Sequence, residues 1–106
     1  MKNKLLIIEA DTNDADHIHK IHELNVSDEY DSELLTILPK ISGVLKEHRY
    51  NWSDFDGHES PYEKYKDIFT EEEIDIFNEF RPHSSEGIHT ITSIKLYDIT
   101  NVTNYL

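Results

Sequence analysis

The sequence predicts a small α+β domain, and three observations carry that prediction. A long run rich in β-branched residues lies near one end, from Gly87 to Thr100. A shorter apolar run, Lys4 to Asp11, lies near the other. Between them the chain shows helical spacing and acidic loops. The expected architecture is a small antiparallel sheet pairing the N- and C-terminal strands, with three to four intervening helices packed on it. At 106 residues the whole chain, 1–106, is expected to form a single domain.

Residues 4–10 place Leu5 and Ile7 on one face and Leu6 and Ile8 on the other. A strand apolar on both faces is normally covered on both. With few helices to cover it, a second chain in an oligomer is the expected cover for one face. The apolar run ends at Glu9, too short for a signal-peptide core or a membrane span.

Asp11 to Asp16 reads as a turn feeding a helix over 14–24, capped by Thr12 or Asn13 and carrying Ala15, Ile18, Ile21 and Leu24 on one stripe. Asn25 stops it. Ser32 is the expected cap of the next helix, whose stripe is Leu34, Leu35, Leu38, Ile41, Val44 and Leu45. Pro39 falls inside that stripe and predicts a kink or two short helices. His48 to Glu59 has no period; Tyr50, Trp52 and Phe55 are interleaved there with Asp54, Asp56, His58 and Glu59, a loop that either folds back to cap the core or forms a binding surface.

Ser60 followed by Pro61 and Glu63 is a helix start, and Thr70 with Glu73 is a second capping box. Tyr62, Tyr65, Ile68 and Phe69 are expected to face inward after the first start, and Ile74, Phe77 and Phe80 after the second. Pro82 ends the latter helix. In the last strand Ile88, Ile94 and Leu96 share one parity, while Ile91, Tyr97 and Ile99 share the other. A bulge near Thr92 or Ser93 would reconcile them. The tail from Asn101 is expected to fray.

Charge bounds the partners. There are 22 Asp and Glu against 10 Lys and Arg, a formal charge of -12. Such a field repels nucleic acid and anionic membranes and attracts basic surfaces. Residues 54–79 concentrate it, with ten acids and only Lys64 and Lys66 to offset them. The candidate partner-binding residues are Asp54, Asp56, Glu59, Glu63, Glu71, Glu72, Glu73 and Asp75. Tyr50 and Trp52 are the candidate aromatic anchors. Carboxylates on successive helical turns make a negative ridge that a protein built to hold a phosphate backbone would accept.

Catalytic and cofactor chemistry finds little footing. There is no cysteine, and the three glycines stand alone at 43, 57 and 87, so no phosphate loop or nucleophile elbow is present. Asp11, Asn13, Asp14 and Asp16 with His17, His19 and His22 have the composition of a metal site. Counted as a calcium loop from Asp11, however, the sixth and twelfth positions hold Asp16 and His22 rather than glycine and glutamate. His19 and His22 would share a helix face, a weak zinc pattern. No cofactor, metal or catalytic residue is assigned.

Leu5 to Asp16 and Gly87 to Lys95 resemble the two ends of a group of small acidic proteins from phages and mobile elements, mostly of unknown function. The resemblance implies a setting, the cytoplasm of an infected bacterium, and by class analogy an anti-CRISPR-type inhibitor. The leading expectation is a non-enzymatic inhibitor that binds a basic host protein, a CRISPR effector or other defence nuclease, and blocks its substrate. The alternative is an oligomeric sponge for a defence-signalling nucleotide. That would need a local cationic pocket drawn from Lys4, Lys20, Arg49, Arg81 or the histidines.

Overall fold

The structure is a computed structural model, and it describes residues 3–53, 61–98 and 102–106. Along the chain run β1 (Asn3–Thr12), β2 (His17–Asn25), α1 (Glu29–Glu47), α2 (Pro61–Tyr65), α3 (Glu71–Phe80), β3 (Ile88–Tyr97) and β4 (Val102–Asn104). The strands form one antiparallel sheet in the order β2-β1-β3-β4. The arrangement is broadly α+β, but it overturns the expected architecture of two paired terminal strands under three to four helices. The stretches expected to pair, 4–11 and 87–100, do so as β1 and β3, but as the centre of a four-stranded sheet: residues 17–25, expected as helix, supply the edge strand β2, and 102–104, expected to fray, supply β4.

The largest departure is at residues 14–24, expected as a helix. Asp11 to Asp16 makes a hairpin turn instead. The Thr12 amide donates to Asp16 O at 2.8 Å, the Asp16 amide donates to Thr12 Oγ1 at 3.1 Å, and Ala15 takes a left-handed φ of 66°. The chain then returns as β2 along β1, Ile18 opposite Ala10 and Leu24 opposite Lys4. The three-residue spacing of Ile18, Ile21 and Leu24 imitates a helical stripe. On a strand it splits them: Leu24 is buried, whereas Ile21 is 53% exposed on the other face.

Helix α1 is capped by Asp28, whose carboxylate accepts from the amides of Tyr30 and Asp31; Ser32 lies inside the helix. The helix runs unbroken through Pro39. A proline there costs about 3 kcal/mol. Leu34, Ile37, Leu38, Ile41, Val44 and Leu45 are all buried along its length. Each contributes ~1.5–3 kcal/mol, so the stripe outweighs the lost hydrogen bond.

The helices cover one face of the sheet. On β1 that face carries Leu6, Ile8, Ala10 and Thr12, opposite Leu96, Ile94, Ile91 and Ile88 of β3. Two register shifts make the match. Thr92 and His89 are each an extra residue on β3, so Ile88, Ile91 and Ile94 all reach the core despite their three-residue spacing. The bulge expected near Thr92 or Ser93 falls at Thr92.

The tail is tied down rather than frayed. Val102–Asn104 pairs with β3, the Tyr105 amide donates to Ile94 O at 2.8 Å, and Tyr105 and Leu106 pack against the core. On the opposite sheet face Leu5 and Ile21 are exposed, and none of the described helices covers them. No helix of the described residues is long and apolar enough to cross a membrane.

Candidate partner-binding site

The expected site residues separate. Asp54, Asp56 and Glu59, with Phe55 and the Ser60 cap, lie outside the described residues. Glu63 is on the short α2, exposed and 3.9 Å from Lys66. Glu71, Glu72, Glu73 and Asp75 are on α3. Tyr50 is exposed beyond the C-terminus of α1.

Trp52 corrects an expectation. It is fully buried, so it is a core residue and not a surface anchor. Its ring stacks on Tyr65 at 5.1 Å and meets Phe77 edge-on at 4.8 Å. Its Nε1–H donates to Asn78 Oδ1 at 3.1 Å. Of the aromatics expected to face inward from 62 to 69, Tyr65 and Phe69 do so; Tyr62 and Ile68 face out.

Glu73 is also partly structural. The Thr70 side chain accepts from the Glu73 amide at 3.1 Å, and the Glu73 carboxylate accepts from the Thr70 amide at 2.9 Å. This is the capping box read from the sequence. Lys40 of α1 donates to the same carboxylate at 3.0 Å. Partial burial pushes the Glu73 carboxyl up, but the Thr70 amide and the Lys40 ammonium together hold it below its ordinary value.

What remains is an acidic groove between α1 and α3. A cavity of about 210 Å³ is lined by Glu33, Thr36 and Ile37 from α1 and by Glu72, Glu73 and Ile76 from α3. Ile37 and Ile76 are buried and form its apolar floor. Beside it Tyr30 is 42% exposed and stacks on Phe80 at 5.7 Å between centroids. The Tyr30 hydroxyl is pushed up, first by partial burial and then by the negative charges of Glu79, Asp75, Glu33 and Asp31. Carboxylates from two helices are therefore within electrostatic reach of one exposed aromatic. Sequence reading missed Tyr30, Asp31 and Glu33, and it counted Glu79 in the acidic block without naming it a candidate. Glu33 and Tyr30 sit one helical turn apart at the start of α1, a signal that a search confined to residues 54–79 passes over.

The histidine-rich segment does not assemble as a metal site. On a strand His19 and His22 point to opposite faces. His17 Nδ1 lies 2.8 Å from Asp11 Oδ1 and its Nε2 lies 3.5 Å from Glu9 Oε1, and both carboxylates raise its pKa above the ordinary histidine value. No cluster of three metal-ligating side chains is present among the described residues. Lys20 and Arg81, two of the cations considered for a ligand pocket, are engaged in the fold. Lys20 donates to Glu79 O at 2.8 Å. Arg81 is buried and donates to Asn78 Oδ1 and Pro82 O.

Compared with known proteins, the chain matches no family model, no curated protein and no solved structure.

Proposed function

We propose that this protein is a non-enzymatic inhibitor, of the kind phages direct against bacterial defence, that docks on a basic nucleic-acid-binding surface of a defence nuclease and blocks its substrate. Its setting would be the cytoplasm of the infected host. The observation that carries the reading is the groove between α1 and α3, floored by Ile37 and Ile76 and walled by Glu33, Glu72 and Glu73, with exposed Tyr30 beside it. Carboxylates spaced along two helices supply the charge that draws a Lys- and Arg-rich channel. Tyr30 takes the place first given to Trp52. An aromatic with an apolar floor beside it is the composition of an interface centre, and the ring of acids is that of a rim.

The experiment is a pull-down from host lysate at low and high salt, with the captured protein then tested for its nuclease activity. The expected result is a basic nuclease that is released at high salt, because exposed charge pairs are screened. The double variant Glu72→Lys/Asp75→Lys should neither capture nor inhibit it. Full inhibition by that variant would sink the proposal.

A further inference from the structure

A second, chemically opposite site lies where α1 ends against β3. His48, Arg49, Tyr50, Ser53 and His89 line an open cavity of about 480 Å³, and none of its described lining residues is acidic. In a chain with 22 acids and 10 Lys and Arg, that is an unusual concentration of positive and hydrogen-bond-donating groups. Arg49 is exposed and forms no ion pair among the described residues. The pocket wall is fixed. Arg49 and Tyr50 hold consecutive left-handed conformations, φ 57° and 63°. Tyr50 O accepts from the Ile91 amide at 3.1 Å and from the Thr90 hydroxyl, which binds the turn to β3.

The second observation is Ser53. It is only 7% exposed, it lines the cavity, and its Oγ has no hydrogen-bond partner among the described residues. A buried hydroxyl without a partner is costly and therefore uncommon, and a ligand oxygen would satisfy it. Arginine donors suit a phosphate, imidazole N–H groups add to them, and the exposed Tyr50 ring offers a face for a base. The volume is in the range of small-molecule sites.

We propose that this pocket binds a phosphorylated small molecule of mononucleotide size, the phosphate held by Arg49 with His48, His89 and Ser53. The site is separate from the α1–α3 groove and does not rest on the inhibitor reading. It supplies the local cationic pocket that a nucleotide-sequestering protein needs.

The test is calorimetric titration of the purified chain at low salt with AMP, inorganic phosphate and adenosine. AMP should bind one per chain, phosphate more weakly, and adenosine not measurably. Arg49→Gly is compatible with the left-handed backbone and should weaken AMP roughly tenfold or more, the worth of a charge-assisted hydrogen bond. Ser53→Ala should weaken it by a smaller factor. Glu72→Lys/Asp75→Lys should leave it unchanged, which keeps failure here distinct from failure of the helical face. Emission from the single buried tryptophan, Trp52, verifies that each variant is folded. No AMP binding, equal affinity for Arg49→Gly and the parent, or adenosine binding as tightly as AMP would each overturn the proposal. Phosphate binding as tightly as AMP would overturn its nucleoside part.

Discussion

The Nε2–H of His22 donates to the carbonyl oxygen of Phe80 across 3.0 Å. It joins the edge strand β2 to the last turn of α3, and its ring also meets the Phe80 ring edge-on at 4.6 Å. Its neighbour but one, Lys20, donates to Glu79 O at 2.8 Å. Helix α3 has no basic residue in its last turn. The strand supplies the donors that its exposed carbonyls and negative dipole end require.

That relationship predicts a pH dependence. Burial lowers the His22 pKa below 6.5, and the neighbouring Lys20 charge adds to it; the Phe80 carbonyl and Asp31 oppose the shift without cancelling it. With a depressed folded value, the unfolded chain binds more protons just below pH 6.5. The His22 contribution is therefore present above pH 6.5 and is lost as pH falls through the folded value. His17 acts in the opposite sense, since its raised pKa gives a contribution present below pH 6.5 and lost as pH rises. Urea unfolding at pH 7.5, 6.5 and 5.5 should show the parent losing stability relative to His22→Gln on acidification. Parallel curves for the two proteins would refute the assignment.

Asn78 is a half-buried polar link at the edge of the core, and its loss should be expensive. Its Oδ1 accepts from Trp52 Nε1 at 3.1 Å and from Arg81 Nε at 3.0 Å. Trp52 and Arg81 are both buried, so water cannot readily replace the acceptor. Asn78→Ala should cost about 2–3 kcal/mol, the desolvation of donors that lose their partner. Asn78→Asp keeps the acceptor and adds charge complementarity to Arg81, so it should recover most of that loss at neutral pH. Chemical denaturation read by Trp52 fluorescence distinguishes them. An alanine variant within about 0.5 kcal/mol of the parent would show that the pair is dispensable.

The sequence announced some of this and concealed the rest for identifiable reasons. The Thr70–Glu73 box is local chemistry within four residues, and it appears as read. The bulge at Thr92 was legible because two apolar parities in one strand leave few alternatives. Residues 14–24 were misread because the three-residue spacing of Ile18, Ile21 and Leu24 imitates a helical stripe, and the Asp-rich turn serves a helix cap or a hairpin alike. Pro39 misled because its local cost counts for more on paper than in the fold, where burial of the apolar stripe on both sides of it overrides that cost. Trp52 and Asn78 are 26 positions apart, and no local pattern records their contact. The acidic groove was half legible: its α3 side stood out as a run of glutamates, while its α1 side became visible only once the two helices packed together.

Glu73 separates structural from interfacial acidity on α3. Its carboxylate closes the capping box and accepts from Lys40, whose Nζ also sits 5.0 Å above the Phe69 ring. Reversing Glu71, Glu72 and Glu73 together would thus damage the helix start as well as the surface. Glu73→Lys should lose the box, worth ~1 kcal/mol, and set two ammonium groups against each other. Thr70→Ala should reproduce the capping part alone. Glu72 and Asp75 are exposed on the same helix. Glu72→Lys forfeits only the favourable term between an acid and the helix N-terminus, ~0.3–1 kcal/mol. Thermal unfolding should therefore rank the variants with Glu73→Lys least stable, Thr70→Ala next and Glu72→Lys closest to the parent. Glu73→Lys melting no lower than Glu72→Lys would show that the box and its lysine are ornamental, and Glu73 would return to the set of surface carboxylates.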